Sequence, residues 1–451
     1  MEMKPKIEDS QGGETPALRF GVVADMHITT PASCAMTEKA FRYFKARGAD
    51  AVMVPGDMSD WGLRSGLEYF KATWDKVFAG TDVAPLFCTG NHEYDGWWSG
   101  DMTMDMHANG YSEDEALSKL GLEAEWERIF GEKFEPIRVR TVKGYSFVCG
   151  EERGYMELGK WLADNGASLA CDRPFFYFQH EAIGGTTSDA PRETDEVFAA
   201  LKDFPNAVAF TGHTHRPFND ERLIWQGEFT VMAAPSISYN GSGGNYENGG
   251  GPRNGTSKQA MPEVTTRLDL RGGQVFFVSV YGDRMVIERI DVDEDFAEGA
   301  PPWVLPLASG ERPYTIEARA AKSVAPEFSE GATLATETRN TVNRSGWWII
   351  VMDCEFPSAM PPEGERVFDY EIRAVPKDGS EPLVKRFLSP AYAKMAKYEP
   401  ERQRFWFDVA ELPQDKEYVI EVRARNCYGK ASRPLVSGVW RSEPGLGTPR
   451  M

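Results

Sequence analysis

Between Leu18 and Trp303, short apolar runs alternate with amphipathic stretches, and that alternation leaves few folds open to this chain. The runs are FGVVAD (20–25), AVMVPGD (51–57), APLFCTGN (84–91), YSFVCG (145–150), FFYFQH (175–180) and AVAFTGHTH (207–215). Between several of them, residues 36–48, 65–80, 112–130 and 191–204 carry helical periodicity, and Gly48 and Gly80 stand where C-terminal helix caps are expected. Strand and helix in alternation predict a layered α/β domain. Residues 222–236 and 274–292 read as strand and turn alone, consistent with a second sheet packed on the first.

Five of the six runs end in a polar group: Asp25, Asp57, Asn91, His180 and the pair His213/His215. The carboxyl edge of such a sheet is where α/β proteins build binding sites, because rigid strands end there and the loops beyond can vary. The chain has only six histidines, and TGHTHRP (211–217) spends two of them on one turn. A solvated loop has no need of that. A metal site does, since imidazole is the commonest side-chain ligand near neutral pH.

After about residue 312 the helical periodicity fades. GWWIIVMDCEF (346–356), VFDYEIRAVPK (367–377), RFWFDVAEL (404–412) and EYVIEVRARNCYG (417–429) are spaced as in a β-sandwich. The expected organisation is a polar leader at 1–17, an α/β domain at 18–305 and an all-β domain at 312–445. The leader has no apolar core of the kind a secretory signal needs, so it reads as a spacer, and any export signal would lie upstream. No run approaches the ~20 apolar residues that span a bilayer.

With 69 acidic against 50 basic residues the net charge is −19, which argues against a nucleic-acid-binding surface or anionic lipid. An anionic ligand would have to be drawn by something local, such as bound cations. The six cysteines form no CxxC pair and read as buried free thiols, which leaves the redox compartment open. The Gly/Asn-rich run at 239–257 reads as a mobile loop, either a lid or a surface insertion.

Four short segments and one isolated histidine now line up: ADMH (24–27), GDMSD (56–60), GNHE (90–93), FQH (178–180) and GHTH (212–215). Together they resemble the calcineurin-like metallophosphoesterase superfamily, whose pattern is DxH, GDxxD, GNH(D/E), H, GHxH in this order. The resemblance implies a four-layer αββα sandwich and a two-metal site. It implies that Asp25, His27, Asp57 and His215 hold one ion and that Asp57, Asn91, His180 and His213 hold the other, with Asp57 bridging. Carboxylate, amide and imidazole donors suit Mn, Fe, Zn, Co or Ni. It further implies a phosphate monoester or diester substrate, attacked in line by a metal-bridging hydroxide. His92 would be the general acid, oriented by Asp60, and Glu93 would cap or buttress its loop. Gly56, Gly90 and Gly212 would allow sharp turns and close approach to the ions.

His107 has no role in the family and is expected to be an exposed loop residue; Trp97 and Trp98 line the pocket or anchor their loop. Two departures narrow the group. Trp61 stands where protein Ser/Thr phosphatases of this superfamily carry a phosphate-clamping arginine. Asp60 stands where purple acid phosphatases carry a tyrosine ligand, so no purple charge-transfer colour is expected.

The run 412–432 resembles the last strands of a fibronectin type III domain, with Tyr418 as the corner tyrosine and Asn426–Gly429 starting the final hairpin. Such a module acts as a spacer or packing domain, or takes a protein or glycan partner. Its type favours an extracytoplasmic location. Two rival readings stand beside the phosphoesterase: a catalytically silent scaffold of the same fold, and a cell-envelope polymer-directed phosphodiesterase targeted by the sandwich.

Overall fold

The computed structural model describes residues 14–94, 121–187, 195–240, 272–307, 310–342, 346–393 and 399–442. His107, Trp97, Trp98, residues 112–120 of the expected helix at 112–130 and nearly all of the Gly/Asn-rich run lie outside these residues. The described chain divides into two compact units, one built from residues up to 218 with 222–240 and 272–319, the other from 219–221 and 320 onward. No described helix is long and apolar enough to cross a membrane.

The first unit is built on two sheets. One has parallel strands β1 (Leu18–Val22), β2 (Ala51–Pro55) and β3 (Ala84–Cys88). The other has β4 (Ile137–Val142) antiparallel to β5 (Tyr145–Gly150), then β6 (Phe175–Phe178), β7 (Ala207–Thr211) and β9 (Thr230–Ala233) in parallel, with β8 (Ile224–Gln226) antiparallel on its edge. On the first sheet, β10 (Gln274–Val280) runs antiparallel to β1 and is followed by β11 (Arg284–Asp291), which carries the short β12 (Ala297–Glu298) and β13 (Trp303–Pro306).

Period-two alternation sends Phe20 of β1 to the inner face, where it meets Phe147, Phe176 and Phe210 of the second sheet at centroid distances of 5.1–5.7 Å. The next residue, Gly21, faces outward, and a Cβ there would stand 2.4 Å from the Phe44 ring. That outer face is covered by α1 (Ala35–Ala46) and α2 (Arg64–Phe78), through Phe41, Phe44, Phe70 and Trp74. The helical stripe of α3 (Leu122–Phe130) adds Trp126. On the far side, α4 (Leu158–Asn165) and α5 (Glu196–Leu201) cover the second sheet through Leu158, Leu162, Phe198 and Leu201. The layers are therefore α, β, β, α. Gly48 and Gly80 follow α1 and α2 with φ of 70° and 73°, the left-handed conformation that ends a helix.

The strands stop earlier than their apolar runs. β1 ends at Val22, β2 at Pro55, β3 at Cys88, β6 at Phe178 and β7 at Thr211. The polar residues that close each run lie in the loops just beyond. At three of the five ends the reason is local: Asp25, Asp57 and His213 have φ of 55°, 54° and 66°, which no strand accommodates.

The second unit is all-β apart from short helical turns. A three-stranded antiparallel sheet, β14 (Ala335–Val342), β15 (Trp348–Pro357) and β18 (Arg402–Asp408), shares a core with a four-stranded one, β17 (Leu383–Leu388), β16 (Asp369–Pro376), β19 (Glu417–Arg425) and β20 (Leu435–Arg441). Met352, Phe356, Tyr370, Phe405 and Ile420 fill the space between them. Tyr418 is buried and donates its hydroxyl to the Pro413 carbonyl at 2.9 Å. Asn426 closes the β19–β20 connection by accepting from the Tyr428 and Lys430 amides.

Candidate metal centre

Five loops at the carboxyl ends of β1, β2, β3, β6 and β7 meet at one place, tied to each other by main-chain bonds. The Met26 and His27 amides donate to the Asp57 carbonyl, the Gly212 amide to His180, and Ile237 to Ala24. Close approach explains the glycines at two positions. A Cβ on Gly90 would stand 2.3 Å from Asp57 Oδ1, and one on Gly56 would stand 2.4 Å from His180 Nδ1. Gly56 also has φ 82°, a turn that glycine makes without strain.

Seven side chains converge into two groups that share Asp57. In the first, donor atoms of Asp25, His27, Asp57 and His215 all lie within 4.8 Å of one another, and all four residues are buried. His215 Nε2 is 3.2 Å from Asp25 Oδ1 and 3.2 Å from His27 Nε2; His27 Nε2 is 3.8 Å from Asp57 Oδ2. In the second, His180 Nε2 is 3.1 Å from Asp57 Oδ2 and 3.0 Å from Asn91 Oδ1. His213 Nδ1 is 3.1 Å from that same Asn91 oxygen.

The far sides of the His180 and His215 rings are fixed by acceptors, whereas His27 Nδ1 is buried with no hydrogen bond. His180 Nδ1 lies 3.0 Å from the Pro55 carbonyl and His215 Nδ1 lies 2.9 Å from the Tyr239 carbonyl. A ring nitrogen donating to a carbonyl leaves the other as an acceptor, which is how proteins orient metal-binding imidazoles. His213 turns its Nε2 to Glu181 Oε2 at 3.5 Å.

Without a cation this arrangement is costly. Burial works against the Asp57 charge, yet the surrounding histidines, His180 foremost, lower its pKa below the usual carboxylate range. Asp25 is fully buried, and its Oδ2 accepts no hydrogen bond. Five of the seven residues (Asp25, His27, Asp57, His213 and His215) hold a positive φ, at about 1–2 kcal/mol each. An orphaned carboxylate oxygen, imidazole nitrogens facing each other and concentrated backbone strain are what a site for hard or borderline cations needs. The donor set fits two divalent ions, with Asp57 common to both.

His92 and Asp60 sit at the edge of this cluster. His92 Nδ1 is 2.6 Å from Asp60 Oδ1, and its Nε2 faces the Asp57 carboxylate 3.9 Å away. The His92 amide donates to Asp57 Oδ1 at 2.9 Å. Asp60 Oδ1 is also 3.7 Å from His27 Nδ1, so both groups of donors touch the pair.

Glu93 lies underneath. It accepts from the Asp57 and Gly90 amides through Oε2, at 3.1 and 2.7 Å, and from the Ser59 amide and hydroxyl through Oε1. Burial, then the nearby Asp57 charge, pushes its pKa up to about 8. One carboxylate thus ties the GDMSD loop to the GNHE loop.

Several supporting residues escaped the reading of the sequence. Ser236 and Ser238 both donate to the Asp25 carbonyl, at 3.1 and 2.7 Å. Glu151, directly after β5, is buried and accepts from the Thr89 amide and hydroxyl at 2.8 Å, holding the start of the GNHE loop. Tyr239 supplies both the carbonyl for His215 and a ring over it. Their only signal was position, just beyond the ends of strands.

Residues 18–217 match the family model described as Calcineurin-like phosphoesterase. Among solved structures, the chain is similar to a dimetal phosphatase from Danio rerio, at 13% identity and TM-score 0.39, covering 65% of this chain and 99% of that one. It is also similar to a purple acid phosphatase from yellow lupin (Lupinus luteus) seeds, at 13% identity and TM-score 0.37, covering 64% of this chain and 55% of that one. Among curated proteins there is no match.

Proposed function

We propose that the protein is a two-metal phosphoesterase that hydrolyses a phosphate monoester or diester. One observation carries the reading: seven metal-competent side chains from five loops fall into two donor groups with a single carboxylate, Asp57, between them. The match of residues 18–217 to a phosphoesterase family model supports the same reaction class.

In this reading Asp25, His27, Asp57 and His215 hold one ion and Asp57, Asn91, His180 and His213 the other. When bound, such a pair lowers the pKa of coordinated water toward neutrality and offsets charge on phosphoryl oxygens, in an in-line displacement. The chain's own residues do the rest. Asp60 fixes His92 through Nδ1 and aims Nε2 at the site, where it gives its proton to the leaving oxygen. Glu93 keeps the loops carrying Asp57 and His92 in register with each other, so the acid and the bridging carboxylate stay in one geometry. The sandwich at 312–445 is read as a fibronectin type III-like spacer, a reading supported by its three- and four-stranded sheets and by the Tyr418 bond to Pro413.

The test is an assay of chromogenic phosphate monoesters and diesters with protein stripped by chelator and reloaded with Mn²⁺. Turnover that needs the reloaded metal supports the reading. Bound metal with no turnover of either ester class counts against it and favours the silent scaffold.

A further inference from the structure

The Tyr239 ring lies beside the candidate centre with about half of its side chain in solvent: it is 47% exposed. It packs on His215 at a centroid distance of 4.3 Å and on His27 at 5.3 Å, tilted 32° and 33° to them. His27 is also met edge-on by His92, at 4.4 Å and 88°. The general acid and the tyrosine thus rest on one imidazole, which keeps their rings within about 10 Å of each other (4.4 and 5.3 Å through His27).

We propose that Tyr239 forms a leaving-group subsite that favours esters whose leaving alcohol carries a flat aromatic ring. The inference rests on the phosphoesterase reading, and in particular on His92 as the acid. An oxygen taking its proton from His92 Nε2 must lie within hydrogen-bond reach of it. A ring attached a bond or two beyond that oxygen then comes to the roughly 4.5–7 Å at which aromatic rings pack. The platform is pre-set: the Tyr239 carbonyl is bound by His215 Nδ1 and its amide donates to Ser236 Oγ at 3.2 Å. A ring already held in place loses little freedom when a ligand stacks on it.

A second exposed ring is carried by the same stretch as Asp60. Trp61 follows it directly, is 55% exposed and holds φ 57°, a conformation that is a true outlier for a bulky residue. Outliers of this kind cluster at ligand sites.

The test uses matched probes of similar size, one flat and one puckered. Dissociation constants for benzylphosphonate and cyclohexylmethylphosphonate are measured by calorimetry on Mn²⁺-loaded wild type, Tyr239→Phe and Tyr239→Leu. Turnover of benzyl phosphate and cyclohexylmethyl phosphate is followed in parallel, with metal content. The expected result is a preference for the flat probe of about threefold to tenfold. Tyr239→Phe keeps that preference and Tyr239→Leu loses it, the flat probe weakening in Kd and KM by more than the puckered one. Equal binding of the two probes by wild type overturns the subsite while leaving hydrolysis intact. So does an equal loss for both probes in Tyr239→Leu accompanied by lost metal, which would make the ring a prop for His215. Absence of turnover with metal bound fails the phosphoesterase reading, and the subsite falls with it.

Discussion

The floor of the candidate centre and the core of the C-terminal sandwich both bury charge, and they treat it in opposite ways. In the sandwich, Asp369 is clamped by Arg425, Nε to Oδ1 at 2.7 Å and Nη2 to Oδ2 at 2.5 Å, and Asp353 takes Arg339 and Arg404. Both of these buried carboxylates are paired with guanidinium groups. At the centre, Asp25 has an oxygen with no hydrogen bond, and Asp57 faces histidines whose charge depends on a proton. The backbone divides the same way. Of the described non-glycine residues with positive φ, only Asp415 belongs to the sandwich, whereas five of the seven proposed ligands carry one. A sandwich core is complete when folded. The donor set of the centre is of the kind that a hard or borderline cation would satisfy.

Four substitutions sharpen this contrast. Asp57→Asn removes the carboxylate common to both donor groups and is expected to abolish turnover and lower bound metal, measured by mass spectrometry of the metal and by ester hydrolysis. His92→Ala is expected to cost about 10²–10⁴ in rate with metal content unchanged, if the ring serves as the proposed proton donor and not as a ligand. Loss of metal in this variant would move His92 into the ligand set. In the sandwich, Asp369→Ala removes both of Arg425's bonds to Asp369 and leaves the buried guanidinium the longer contact to Glu371 at 3.4 Å, at a cost of up to about 3–5 kcal/mol in unfolding free energy. Chemical denaturation reads the loss, and kcat of the remaining folded protein is expected to stay at the wild-type value. Tyr418→Phe removes one hydrogen bond to Pro413, worth about 1 kcal/mol, with turnover again unchanged. Should either sandwich variant lower kcat, the division into a chemical and a structural region is wrong.

How much of this was legible in the chain follows from how local each signal is. The layered architecture and the helices over β1–β3 came from periodicity within windows of a dozen residues. The loops that converge were marked by short motifs, since glycine, aspartate and histidine must stand next to each other where the backbone turns at a strand end. Strand length was misjudged at each site loop. Apolar character continues through Ala24 and Met26, but the left-handed φ at Asp25 and His27 ends the ladder before them. The support beneath the site was hidden for the opposite reason. Glu151 reaches Thr89 across 62 residues, and the Tyr239 carbonyl reaches His215 across 24. No window of sequence contains either pair. Glu93 was visible as a buttress because it sits inside the motif it braces, but its hold on Asp57 and Ser59 in the preceding loop was not.

The most direct test of the shared-carboxylate account is metal stoichiometry. The chain is stripped by chelator, reloaded with Mn²⁺, desalted and measured as wild type and as Asp57→Asn. The account predicts two ions per wild-type chain and fewer than one in the variant, with Mn²⁺ raising the melting temperature of the wild type only. A wild type that binds none, or a variant that keeps both, would contradict it.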